Sequence, residues 1–491
     1  MKTKSKLLSS SLELGVLGIG RVLQIVTQVI SVRISTTILS PSQFGSISQM
    51  MSLSGVFVQV LHSPVSIYIM RAFRDWRESG TLLKNLIRYL KYIIIIALFS
   101  MMFAGLIQWS FNIVNGINIT WVVVLVGIYV LFSPIYSIGT TGLNLLYRRV
   151  EFVLFSNLSS WMGMGLAITL ILIFSNQVYW ILGSFLGTAI ASTSFFYLTR
   201  YLRSLKEEKV VDSDNQKTIP FNIFSVFPFA WPQLVTSVLW IVQSQSYRFI
   251  LDKISVIADV GLYSAGYALA ATPMILFENL FTQFYDPIYY NNLKGKDRDG
   301  QAKVWNDYAS AYVPAILLVG AFVGSSGYFL IKVFLATRFQ TVTSFFFWLA
   351  ITETLRGVSG IIHYLGIAKI DMRILILPVA SGAILAVIGV ILLGRWNALQ
   401  GTGIALCIAM LSSLIIGIYI GFRALPVTLS IRRILLSCLL SLPMIIGFQI
   451  SKLAIPNPSV WLAVVVLGTG TVYLFISEYF LAKEWLNRST S

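Results

Sequence analysis

The sequence predicts an all-α integral membrane protein of about fourteen transmembrane helices: two related six-helix bundles plus two C-terminal helices. Three observations carry this. Of 491 residues, 56% are hydrophobic and only 11% charged, with a mean hydropathy of +0.80, whereas a soluble domain carries roughly a quarter charged residues. Apolar runs long enough to cross a hydrocarbon core recur along the whole chain. Lys and Arg alternate from loop to loop.

The apolar runs place helices at about 12–38, 46–70, 89–111, 119–143, 152–174, 178–199, 221–250, 260–290, 306–330, 342–366, 372–394, 399–422, 433–450 and 459–481. The longest polar interval, Tyr201 to Lys217, is too short to bury a core of its own. MKTKSK at the start imitates a secretory leader. The apolar run after it continues too long, has no small-residue cleavage site and contains Arg21 and Arg33, so it is read as the first helix.

Every second loop is basic. Lys2 to Lys6, Arg71 to Lys91, Arg148–Arg149, Arg200 to Lys217, Lys294 to Lys303, Lys369–Arg373, Arg423 to Arg433 and Lys483–Arg488 hold 27 of the 36 Lys and Arg. The opposite loops and helix ends hold six. This is the positive-inside pattern, and it predicts that both termini are cytoplasmic. The net charge of +17 therefore reports orientation, with anionic membrane lipid as neighbour rather than nucleic acid.

The two halves repeat. Ser31-Val32-Arg33 leads to Gln43-Phe44-Gly45 and Ser48; Ser246-Tyr247-Arg248 leads to Asp259-Val260-Gly261 and Ser264. Each Arg stands about a dozen residues before a Gly that opens the next helix. The division reads as an N-terminal bundle over 1–200, a cytoplasmic linker at 201–220, a second bundle over 221–423, and two further helices with a cytoplasmic tail over 424–491. An even helix count keeps the halves parallel, related by a pseudo-two-fold axis along the membrane normal. Two such bundles can rock and expose a cavity to each side in turn.

Polar groups inside apolar helices cost a few kcal/mol each, so they face a partner or a cavity. In the first helix Glu13, Arg21, Gln24, Gln28, Ser31 and Ser35 share one quadrant. Gln49, Ser52, Gln59 and Ser63 line the second, with His62 at the margin. The seventh shows Gln233, Ser237, Trp240, Ser244 and Tyr247. The eighth shows Tyr263, Tyr267, Met274, Glu278 and Tyr285. In the tenth, Glu353 and Arg356 are one turn apart and His363 lies two turns on. Two readings stand for these stripes: glue between helices, or the lining of a transport path. Arg33 and Arg248 lie near enough to helix ends to snorkel. Pro232, Pro273, Pro314 and Pro378 fall within the expected helices and can kink them.

Several chemistries are excluded. No P-loop is present, so this chain is not an ATPase. Cys407 and Cys438 have no ligand spacing around them, no nucleophile elbow occurs, and the outer loops are too short for a catalytic site. No enzyme is expected, and no cofactor beyond a coupling sodium ion or proton.

Leu39-Ser40-Pro41-Ser42-Gln43-Phe44-Gly45 resembles the L-x-P-x-x-F-G signature of bacterial polysaccharide (O-antigen, exopolysaccharide) flippases, a family of the multidrug/oligosaccharidyl-lipid/polysaccharide exporter superfamily. Arg248 to Leu251 with Val260 to Tyr267 resembles their second-half repeat. The resemblance implies alternating-access transfer of a polyprenyl-diphosphate-linked oligosaccharide across the bacterial inner membrane, beside a polysaccharide polymerase and other assembly proteins. Taken with the polar stripes, the diphosphate and sugars are expected to meet Arg21, Gln24, Gln28, Gln59, Trp240, Tyr247, Arg248 and Arg356, with Glu278, Glu353 and His363 serving the coupling ion. Tyr247 stands where the family usually has Asp, so Arg248 needs another partner. The alternatives are a sodium- or proton-coupled multidrug antiporter of the same superfamily and a membrane glycan polymerase or ligase.

Overall fold

In the computed structural model, residues 20, 23, 24, 26–28, 30–206, 223–293, 296–369 and 372–489 are described. Among them every regular element is helical and no strand occurs. Helix α1 is described to residue 38. There follow α2 (Pro41–Phe57), a π-turn (Val58–His62), α3 (Ser63–Glu78), α4 (Leu82–Phe111), α5 (Ile119–Leu145), α6 (Arg149–Phe174), α7 (Gln177–Ala191), α8 (Thr193–Lys206) and α9 (Ile223–Gln245). Then come α10 (Tyr247–Ile254), α11 (Ile257–Leu293), α12 (Arg298–Phe334), α13 (Phe346–Lys369), α14 (Ile376–Trp396), α15 (Ala398–Ala424), α16 (Ile431–Ala454) and α17 (Val460–Ser489).

Among the described residues eleven helices are long and apolar enough to cross a membrane, and a twelfth arises if the bent pair Thr337–Ser344 and Phe346–Ala368 is one span. Those twelve match twelve of the fourteen expected spans. The first and seventh lie partly outside the described residues. The short loops supply their own start signals: Asn118, Asn176, Asp297 and Asn397 each accept a backbone N–H from the first turn of the helix they precede. Ile95, Leu98, Phe103, Leu172, Leu392 and Phe475 stand exposed along these helices, an apolar surface suited to lipid.

Arg71 to Lys91 is not a loop. Helix α3 continues to Glu78, α4 begins at Leu82, and the turn is confined to residues 79–81. Past the apolar span the sequence stays amphipathic, so the helix keeps its backbone bonds while Arg74 pairs with Glu78 one turn on at 2.8 Å.

The described chain forms two compact units: Met1–Ser31 with Ser46–Val238, and Val32–Gly45 with Leu239–Ser491. The first is centred on Ile69, Leu86, Tyr89, Ile93, Ile138 and Leu198 from α3, α4, α5 and α8. Its α1 segment is held to α6, where Trp161 Nε1 donates to Thr27 Oγ1 at 2.7 Å. The π-turn interrupts the second span just before Pro64. It leaves His62 buried between the rings of Tyr89 and Tyr92, and the Tyr92 hydroxyl donates to the Leu61 carbonyl at 2.6 Å.

Residues 32–45 join the second unit through specific bonds. Arg33 donates to the Leu335 carbonyl, Arg338 donates to the Thr37 carbonyl, and Thr36 Oγ1 accepts from the Ala336 N–H at 3.2 Å. Phe44 packs edge-on against Phe339. Helices α16 and α17 belong to the same unit and both pack on α12. Their pin is Arg433, 4% exposed, which donates to the Ser310 carbonyl of α12 at 2.7 Å and the Leu481 carbonyl of α17 at 2.8 Å. Charged donors on buried carbonyls are worth about 1.5–3 kcal/mol each, so Arg433→Ala should lower stability by about 2–3 kcal/mol net. The exposed neighbour Arg432→Ala should change it by less than about 0.5 kcal/mol. Thermal scans followed by fluorescence-detected size exclusion read the difference.

Candidate functional site

Within the second unit the sequence-predicted groups of α11 and α13 converge. Arg356 Nε donates to Glu353 Oε2 at 2.8 Å, the one-turn pairing their spacing allows. The same guanidinium turns its other two nitrogens to Glu278, Nη2 to Oε1 at 2.8 Å and Nη1 to Oε2 at 3.1 Å. Such a bidentate fork fits the planar guanidinium and no other side chain. Small residues make room: a Cβ at Gly357 would stand 3.0 Å from Glu278 Oε1. Glu353 is fully buried, and its Oε1 has no hydrogen-bond partner. Two carboxylates on one guanidinium leave the cluster with a formal charge of −1, so Arg356 is occupied by protein carboxylates in this state.

Tyrosines surround the cluster. Tyr267 on α11 lies beside Glu353, and Tyr263 and Tyr247 pack against each other with tilted rings, their centroids 4.7 Å apart. On the other side Tyr312 of α12 faces Glu278 and donates to the Gly357 carbonyl at 3.0 Å. Tyr308 stacks on Tyr312 and on Tyr364, and the Tyr364 hydroxyl donates to Asp286 Oδ1 at 2.6 Å. His363 is exposed. Sequence reasoning did not pick out Tyr308, Tyr312, Tyr364 or Asp286. The i, i+4 pair Tyr308–Tyr312 was the available signal, but partners on three helices were not.

Arg248 and Trp240 take no part in the ion pairs of this cluster. Arg248 is buried with its guanidinium 4.7 Å from the Tyr247 ring centre and donates to Gln245 Oε1. Trp240 is half-buried on α9. In the first unit Gln24 and Gln59 are half-buried and Gln28 is exposed. Arg21 lies outside the described residues. Gln49 is turned to structural use, its Oε1 accepting from the Asn115 backbone at 3.1 Å. Among the described residues no three His, Cys, Asp or Glu converge as metal ligands, and both cysteines are free.

This architecture defines a multi-pass helical protein with the fold of membrane transporters. A lipid II flippase, MurJ, in its inward closed conformation aligns with a TM-score of 0.67 at 13% identity, covering 97% of this chain and 99% of that one. An inward-facing multidrug resistance MATE family transporter of the MOP superfamily aligns at 0.54 and 12% identity, covering 82% of this chain and 94% of that one. A MATE structure in a bent conformation gives 0.50 at 13% identity over 83% and 93%. No protein-family model matches the chain, and no curated protein matches it in sequence.

Proposed function

We propose that the protein is a flippase that carries a polyprenyl-diphosphate-linked oligosaccharide from the cytoplasmic to the outer leaflet of a bacterial inner membrane, for cell-surface polysaccharide assembly. The observation that carries this is coverage. The lipid II flippase fold accounts for 97% of the chain, against 82% for the multidrug transporter. Both extra helices, α16 and α17, thus fall within the flippase match. The charge balance favours the same cargo. An organic-cation antiporter needs free acids in its cavity, yet Glu278 and Glu353 are both bound by Arg356. A diphosphate needs cationic donors, a role this reading gives to Arg21, with Gln24, Gln28 and Gln59 for the sugar hydroxyls. A cation gradient drives the cycle.

The test is leaflet exchange of a polyprenyl-diphosphate oligosaccharide in liposomes containing the purified protein. The parent should exchange it. Arg21→Ala should be at least about tenfold slower, the equivalent of one lost charge-assisted contact to phosphate. Full exchange by Arg21→Ala would remove that residue's role. Absence of exchange, together with uptake of an organic cation against a sodium or proton gradient, would establish the antiporter instead.

A further inference from the structure

Among the described residues one π-turn occurs, Val58–His62, and it stands midway along the span Pro41–Glu78. Its cause is local. Pro64 has no N–H, and its ring excludes the carbonyl four residues back, that of Val60. The ladder widens instead, and the Ser63 N–H donates to the Val58 carbonyl, five residues back. A π-turn holds one residue more than an α-turn. Closing it into a regular α-helix through the same residues would turn one half of the span against the other by about 100°, with about 1.5 Å of advance.

The two halves are held very differently. In α3, Val65, Ile69, Phe73 and Trp76 sit in the core of the first unit, and the Ser66 and Tyr89 hydroxyls lie 3.1 Å apart. The half before the turn, Ser46–Phe57, has no such anchor face. Ser46, Ser48, Gln49, Ser52 and Ser54 point in all directions around the helix axis, so a rotation exchanges one mixed surface for another. There is also room: Met51 is exposed, and nothing lies within 4 Å of a Cβ at Gly55. Between the halves, His62 is 1% exposed and neither of its ring nitrogens has a hydrogen-bond partner. It is wedged between the rings of Tyr89 and Tyr92, and the Tyr92 hydroxyl is already spent on the Leu61 carbonyl. Two bare nitrogens in an apolar pocket are a cost that this state bears and that any state freeing His62 removes.

We propose that the π-turn is a rotary joint. Ser46–Phe57 has a second orientation, turned by about 100°, in which the turn is α-helical and His62 has left the Tyr89–Tyr92 pocket. The chain's course suits a joint at this place. Helix α2 begins in the second unit, at Pro41–Gly45, and α3 ends in the core of the first. A swivel between them lets each end keep its own contacts. Gln59 lies inside the turn and swings with it; on the flippase reading, on which this clause alone rests, the joint presents and withdraws a group for the sugar.

The measurement is the distance between paired spin labels on the full-length protein in liposomes, without cargo, after Cys407→Ser and Cys438→Ser. Labels at Met51→Cys and Leu172→Cys, both exposed and both in the first unit, read across the joint. Labels at Ile67→Cys and Leu172→Cys do not cross it and should give one distance in every variant. A helix about 10 Å across, turned by about 100°, carries a side-chain tip about 8 Å, so the parent should show two distances across the joint. Pro64→Ala, which restores the missing N–H, should enrich the turned one. His62→Phe fills the pocket without bare nitrogens, and deletion of Val58 removes the extra residue while the halves keep their phase. Both should leave only the present distance, and His62→Phe reads that collapse with the chain length unchanged. One distance shared by the parent and Pro64→Ala, or two distances surviving in both His62→Phe and the deletion, overturns the joint. Because no cargo is present, a joint that turns in a protein without lipid exchange would sink the flippase reading alone.

Discussion

Arg356→Ala will unfold the second unit more readily than any other single charge deletion in it, by about 3–5 kcal/mol, the cost of stripping one member from a buried ion pair. The side chains involved are 15%, 0% and 21% exposed for Arg356, Glu353 and Glu278. Removing the guanidinium leaves two carboxylates in a tyrosine-lined interior with no cation between them. Arg356→Lys should recover little of the loss, because an ammonium cannot hold Glu278 at two points and Glu353 at a third. Adding Glu278→Gln to Arg356→Ala should recover part of it by removing one stranded charge, a coupling that a double-mutant cycle reads directly. Apparent melting temperatures in detergent measure all four proteins. An Arg356→Ala protein as stable as the parent, but unable to bind a diphosphate lipid, would instead make Arg356 a cargo ligand.

How far this cluster could be read from the chain follows from which of its contacts are local. Glu353 and Arg356 are three residues apart, and on a helix that distance is a contact. Glu278 is 78 residues from Arg356, and its stripe of tyrosines announced a buried face without naming what it faced. The spans were legible because a membrane demands a length of apolar sequence and little else. Their ends were less so. Arg71 to Glu78 and Leu82 to Lys91 are as polar as a loop, yet they remain helical where the helices run on past the apolar stretch. The entry to α13 failed differently. Thr337–Ser344 is a 3₁₀ segment set at 69° to the helix it leads into, a bend that hydropathy does not record. Nor does hydropathy show that residues 32–45 leave the unit of their own helix, since the bonds responsible are to backbone carbonyls near residue 335.

Gly261→Ala should cost about 3 kcal/mol, at the top of the range for overpacking, and a valine there more. The Cβ it adds would lie 1.8 Å from the Pro41 carbonyl oxygen, and a Cβ at Gly45 would lie 2.2 Å from the Ile257 carbonyl oxygen. A flexible side chain could swing away from such a clash; two helix backbones cannot, so the helices must part. Gly55, with nothing within 4 Å of its Cβ position, is the control: alanine there should stabilise by about 0.5–1 kcal/mol through helix propensity alone. Because one separation relieves both clashes, Gly45→Ala and Gly261→Ala together should cost less than their sum. Thermal unfolding of the four variants decides it, and a Gly261→Ala protein that melts with the parent would mean the crossing is looser than its backbone geometry. The reciprocity has a cause in the sequence. Gly45 meets the carbonyl four residues before Gly261, and Gly261 meets the carbonyl four residues before Gly45. The two repeated motifs therefore touch at their equivalent glycines, and a side chain gained by either copy would strike the backbone of the other.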